Sequence, residues 1–167
     1  MENLIYILII AFALFTVFRF ESKDKKSKNS EIQKYANKHG FKITKKLDML
    51  ILDKESRRFF IADYKGMSGI VSFNDVTSFE ITTSYSDKIF RYSYPFDGEN
   101  VQNAVDELSS IDSDTVEKLS IIIPVSSTSL YINILSENSK TRSYKYKKAV
   151  SLTKKISGEL VGITNAK

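Results

Sequence analysis

The chain has 167 residues, a net charge of +5 and an ordinary globular balance of apolar (42%) and charged (27%) residues. It is long enough to bury one core of domain size, and general disorder is excluded. It holds no cysteine and one histidine, His39, which excludes disulfides, thiolate metal sites, cysteine nucleophiles and multi-histidine zinc sites, and leaves any Ser-His-Asp triad dependent on His39.

From Leu4 to Phe20 the residues are apolar or weakly polar until Arg19. As a helix this run spans about 25 Å, close to the roughly 30 Å of a bilayer's hydrocarbon core. Lys23, Lys25, Lys26 and Lys28 follow it, whereas only Glu2 and the terminal amine precede it. The positive-inside bias therefore predicts a single-pass anchor over residues 1–21 in the inner membrane. It places the N-terminus outside and the remaining chain in the cytoplasm. The competing reading is a cleaved signal peptide with Ala11-Phe12-Ala13 at the cleavage site. It lacks a leading Lys or Arg, and cleavage there leaves Leu14-Phe15-Thr16-Val17-Phe18 exposed.

Residues 22–29 read as a charged linker, and 30–167 as one cytoplasmic α+β domain. Ser30-Glu31-Ile32-Gln33 has the capping-box pattern. Ile32, Tyr35, Ala36 and His39 follow at helical spacing and Gly40 supplies a stop, so a short amphipathic helix is expected. His39 falls in its last turn, where an imidazolium suits the helix dipole better than it suits catalysis.

A short strand is expected at Phe41–Ile43, followed by a meander. Met49–Asp53 and Arg58–Ala62 form a hairpin around Asp53-Lys54-Glu55-Ser56, then a two-glycine loop leads to Ile70–Phe73 and Val76–Thr82, with Asn74-Asp75 at a turn or bulge between them. Alternation in the last strand puts Glu80 on the face opposite Phe79 and Ile81. The acids Asp53, Asp63, Asp75 and Glu80 read as strand ends and a solvent-facing edge.

The strings Leu50-Ile51-Leu52-Asp53, Arg58-Phe59-Phe60-Ile61 and Ile70-Val71-Ser72-Phe73-Asn74-Asp75-Val76-Thr77-Ser78-Phe79-Glu80-Ile81 resemble bacterial domains with a pleckstrin-homology-like fold. The resemblance covers roughly Phe41 to Ile163. It implies a strongly bent antiparallel sheet, or partial barrel, closed by a C-terminal helix. It also implies a binding or scaffolding role, and it brings no catalytic residues. The zinc ribbon that some related proteins carry is absent, since there is no cysteine.

Lys88–Tyr94 is expected as a further strand, with Pro95 and Asp97-Gly98 ending it. Arg91, Tyr92 and Tyr94 give it a basic-aromatic character, but half-buried tyrosines of an edge strand account for that pattern without nucleic acid. Val101, Ala104, Val105 and Leu108 have helical spacing, and Ser109–Thr115 reads as a loop. Leu119–Val125 and Leu130–Leu135 are two more strands, and Pro124 marks an edge or bulge.

Ser143 to Ile163 is expected to be helical, with one apolar stripe of Ala149, Leu152, Ile156, Leu160 and Ile163. Lys140, Arg142, Lys145, Lys147, Lys148, Lys154 and Lys155 make the strongest charge cluster, with no acid between Glu137 and Glu159. These seven cations are the candidate site, suited to an acidic protein or to anionic headgroups.

No catalytic, cofactor or metal constellation is expected. The function expected is a membrane-tethered binding or scaffolding module that recognises a protein partner at the inner face of the bilayer, which it contacts through residues 4–20. One alternative is an anionic-lipid-binding domain acting through Lys140–Lys155. Another is a metal-dependent hydrolase or nuclease using Asp53, Asp63, Lys65 and Glu80, whose spacing matches no recognised motif.

Overall fold

A computed structural model describes residues 26–63, 65–85, 88–94, 98–111, 115–125 and 128–165, with the backbone alone over 88–94, 98–99 and 164–165. The chain divides into two compact units, Met1–Phe41 and Lys42–Lys167.

In the first unit, helix α1 is already running at residue 26 and continues to 38. Residues 26–29 are therefore helical, and Ser30 lies within the helix instead of capping it. The expected stop is real. Gly40 has φ +57°, its N–H donates to the Asn37 carbonyl at 3.3 Å, and the Phe41 N–H donates to the Ala36 carbonyl at 2.8 Å. This pair of bonds is the Schellman arrangement, which needs a left-handed residue where glycine has no Cβ to clash.

The second unit holds two antiparallel sheets. In the first, β1 (Lys45–Leu47), β2 (Leu50–Asp53) and β3 (Arg58–Asp63) pair in order, and β4 (Gly66–Met67) and β5 (Val71–Ser72) both pair with β3. In the second, β6 (Phe79–Tyr85), β7 (Lys88–Tyr94), β8 (Val116–Val125) and β9 (Thr128–Leu135) lie in the order β7-β6-β8-β9. Helix α2 (Gly98–Ser110) connects β7 to β8, and α3 (Tyr144–Asn165) ends the fold.

The α+β class holds, but the single bent sheet or partial barrel does not: the described residues form two sheets and no closed barrel. The turn or bulge expected at Asn74-Asp75 is present as a 3-10 turn that also takes in Phe73. The Ser72 hydroxyl accepts from the Asn74 N–H at 3.2 Å, and the Val76 N–H donates to the Phe73 carbonyl at 3.2 Å. That turn breaks the two-residue alternation, so Phe73 and Val76 are both buried in the core, and β6 starts at Phe79 rather than Val76. Glu80 does stand apart from Phe79 and Ile81, which join the core while Glu80 stays half-buried. The short strand expected at Phe41–Ile43 is absent, and β1 takes its place slightly later.

One core draws Leu50, Leu52, Phe59 and Ile61 from the first sheet and Phe79, Ile81, Leu119 and Ile121 from the second. Helices α2 and α3 add Leu108, Ile156 and Leu160. Each such side chain contributes about 1.5–3 kcal/mol by leaving water. Ile51, Phe60 and Ala62 are fully buried on the opposite face of the first sheet, which explains why β2 and β3 read as unbroken apolar runs.

The expected anchor at Leu4–Phe20 lies outside the described residues. Among the described residues no helix is long and apolar enough to cross a membrane. The longest, α3, has 22 residues and is barred by the lysines along one of its sides. The single-pass membrane assignment and the inner-membrane location are corrected accordingly.

Candidate functional site

The chain builds α3 as a two-sided element. Ser143 caps it, its hydroxyl accepting from the Tyr146 N–H at 3.2 Å and meeting the Ser139 hydroxyl at 2.9 Å. Tyr146, Ala149, Val150, Thr153, Ile156, Ser157, Leu160 and Ile163 are buried. Of the expected stripe, only Leu152 is partly exposed. The buried hydroxyls are satisfied locally: Thr153 donates to the Ala149 carbonyl at 3.0 Å and Ser157 to the Thr153 carbonyl at 2.7 Å. The Tyr146 hydroxyl donates to the Leu108 carbonyl at 2.7 Å, which ties α3 to the end of α2.

The other side of α3 is basic. Lys147, Lys148, Lys154 and Lys155 are exposed there beside Tyr144, Ser151, Gly158 and Gly162. Lys140 and Arg142, just before the helix, and Lys145 in its first turn are exposed as well. Lys145 pairs with Glu137 at 2.6 Å, and the ammonium holds that carboxyl below its usual range. Among the described residues no carboxylate forms an ion pair with the other six. The first turn of α3 contains no acid, although that end of the helix dipole favours negative charge.

Glu159, one turn beyond Lys155, does not neutralise it. Its carboxylate pairs with Lys45 and, at 2.9 Å, with Lys54. Burial alone would raise this carboxyl, but the hydrogen bonds from the two lysines outweigh it and hold the group below its ordinary value. A sequence reading sees Glu159 only as the end of an acid-free stretch. The pairing that removes it comes from β1 and the β2–β3 turn, more than a hundred residues earlier.

The carboxylates considered for metal chemistry are not brought together. Asp53 is fully buried opposite Arg58 at the start of β3, Asp63 ends β3, and Glu80 lies in the second sheet. Among the described residues no group of three or more His, Cys, Asp and Glu is placed to hold a metal ion. His39 is exposed, its ring 4.5 Å from that of Tyr35.

Asp53 was expected as a plain turn residue, but its burial makes it more than that. It accepts from the Ser56 N–H at 3.0 Å, the Lys42 N–H at 3.1 Å and the Arg58 guanidinium at 3.1 Å. Burial pushes its carboxyl up, and these donors more than offset that, so it stays ionised below the usual carboxylate range.

Two concave regions lie on the surface of the described residues. A groove of about 450 Å³ has Ile61, Asp63, Lys65, Gly66, Met67 and Ser68 on one wall and Lys118, Ser129, Leu130, Tyr131 and Asn133 on the other. A smaller one of about 270 Å³ lies between Gly158, Glu159 and Gly162 of α3 and Lys54, Arg57 and Phe73. The side chains of the basic-aromatic strand β7 lie outside what the structure describes.

No protein-family model, no curated protein and no solved structure matches the chain. The comparisons bear neither on the pleckstrin-homology-like resemblance nor on the partner.

Proposed function

We propose that this chain is a non-catalytic binding module that engages an acidic protein surface through the outer face of α3. One observation carries the reading. Lys140, Arg142, Lys147, Lys148, Lys154 and Lys155 are exposed on one region with no carboxylate paired to them among the described residues, while the nearest acid of the helix is held by Lys45 and Lys54. Such a surface steers an oppositely charged partner and sets its register. Ser151, Gly158 and Gly162 leave the helix backbone approachable between the lysines, and Tyr144, 81% exposed, offers an aromatic anchor at one end. This agrees with the binding role that the resemblance implies.

A lipid surface fits less well. Helices that lie in a membrane interface present large apolar side chains to it, and those of α3 are in the core. The test is crosslinking and co-purification from cell extract with the full chain, repeated with Lys147→Glu/Lys148→Glu and Lys154→Glu/Lys155→Glu. Capture of one acidic protein by the native chain alone, weakening as salt is raised, is the expected result. Capture indifferent to both charge reversals would overturn the proposal. So would charge-dependent co-sedimentation with phosphatidylserine vesicles in the absence of any protein partner, since that establishes the lipid alternative.

A further inference from the structure

Strand β9 is an edge: it pairs with β8 on one side, and no described strand pairs with the other. The direction of its backbone groups follows from its neighbours. Pro124 has no N–H to give and stands opposite Ser129. On the far side of β8, the Thr83 and Thr82 hydroxyls of β6 donate to the carbonyls of Lys118 at 3.1 Å and Ser120 at 3.5 Å. Both facts turn the even-numbered residues of β8 toward β6. Ile121 and Ile123 are then left to exchange hydrogen bonds with their β9 partners, Ile132 and Leu130. By the alternation of an antiparallel ladder, the N–H and C=O groups of Ser129, Tyr131 and Asn133 point away from β8. These same three residues line the 450 Å³ groove.

We propose that this groove receives an extended acidic segment of a partner protein, which adds to β9 as a further strand. Backbone pairing with alternate residues supplies affinity in this mode, and side chains between the pairing positions supply specificity. The charge of the groove selects the segment. Lys65 and Lys118 are exposed on its two walls. Among the described lining residues the carboxylate is Asp63, whose Oδ1 accepts from the N–H groups of Lys65 at 2.7 Å and Gly66 at 3.1 Å, so the two lysines leave this lining net positive. Tyr131, 51% exposed, gives a ring against which the aliphatic part of a glutamate can lie. The site is separate from the basic face of α3 and does not rest on the partner proposed for that face.

The test pans the full chain against a phage-displayed library of random linear nonapeptides and measures the enriched peptides by fluorescence anisotropy. Enrichment in Asp and Glu is expected, with slowed amide hydrogen exchange at Tyr131 and Asn133 on binding. The exposed-site variant Lys118→Glu should bind about tenfold more weakly, the size of one lost charge-assisted contact. N-methylation of alternate amides in the peptide should abolish binding, and this control leaves the protein untouched. Lys147→Glu/Lys148→Glu should bind the peptide like the native chain. Peptides indifferent to N-methylation and to Lys118→Glu would overturn the proposal, as would enrichment of none. A peptide lost only in the α3 variant would place binding there instead. A chain that dimerises and protects the same amides without peptide would make a second copy the occupant, and would equally overturn it.

Discussion

Asp53 and the Lys140–Lys155 region are both sites of concentrated charge, and the chain treats them in opposite ways. Asp53 is a single carboxylate removed from water, with a donor from Lys42, one from Ser56 and one from Arg58. The basic region is a cluster left in water, with one of its seven cations paired to a described carboxylate. A buried charge is tolerated only when its partners are supplied, so the first arrangement records a requirement of folding. Exposed lysines stabilise a fold little whether paired or not, so folding alone does not account for the second. The contrast separates charge used to hold the chain together from charge available to a partner.

The largest effect is expected at Asp53. Asp53→Ala leaves two backbone donors and the Arg58 guanidinium without their acceptor, in a site where Arg58 Nε already lacks a hydrogen bond. A loss of roughly 3–5 kcal/mol is expected, read as a lower midpoint in urea unfolding. A loss below about 1 kcal/mol would mean that water reaches these donors and that Asp53 organises nothing.

Acid provides a gentler form of the same experiment. The Asp53 and Glu159 carboxyls are both lower in the folded state than their ordinary values. Their contribution is therefore complete above the unfolded pKa, about 4 for such groups, and is lost as pH falls through the folded values. The melting temperature should be nearly level from pH 7 to about 5 and then drop below about 4. In Asp53→Asn the acid limb of that curve should be shallower. An unchanged limb would assign the acid sensitivity elsewhere.

These two regions also differ in how far they can be read from sequence. The basic cluster is legible because it is local: seven cations fall between Glu137 and Glu159, and a helical period places four of them on one side. The strand Lys88–Tyr94 and the buried stripe of α3 are legible for the same reason, since period alone determines them. Asp53 is not, because the Lys42 N–H that completes its shell comes from eleven residues away. The turn at Asn74-Asp75 is legible, but the division into two sheets is not, because alternation does not show which strands pair on either side of the 3-10 segment that Ser72 caps. The groove at β9 is less visible still: its walls come from β3–β4 and β8–β9, and the register at Pro124 together with the Thr82 and Thr83 hydroxyl bonds shows which backbone groups face it.

A middle-sized effect is expected where an inner contact of α3 ends in a polar bond. Tyr146 is buried, and its hydroxyl serves the Leu108 carbonyl at the end of α2. Tyr146→Phe keeps the ring and removes that donor, for a loss of about 1 kcal/mol. Amide exchange near Leu108 should quicken more than exchange in β8. Equal quickening across the domain would mean that the bond stabilises the whole core rather than the α2–α3 junction.

The smallest expected change in stability is on the outer face of the same helix. Lys147→Glu/Lys148→Glu reverses two exposed charges that pair with no described carboxylate, so the packing argument predicts a change within about 0.5 kcal/mol. The helix dipole gives the sign. Acids in the opening turns of α3 meet its positive end, whereas the lysines oppose it, so the variant should be equal or slightly more stable. If it is distinctly less stable, these lysines take part in folding and the division between the two kinds of charge fails. If stability is retained while partner capture is lost, the native sequence keeps lysines where folding would accept glutamates. Recognition is then what maintains them.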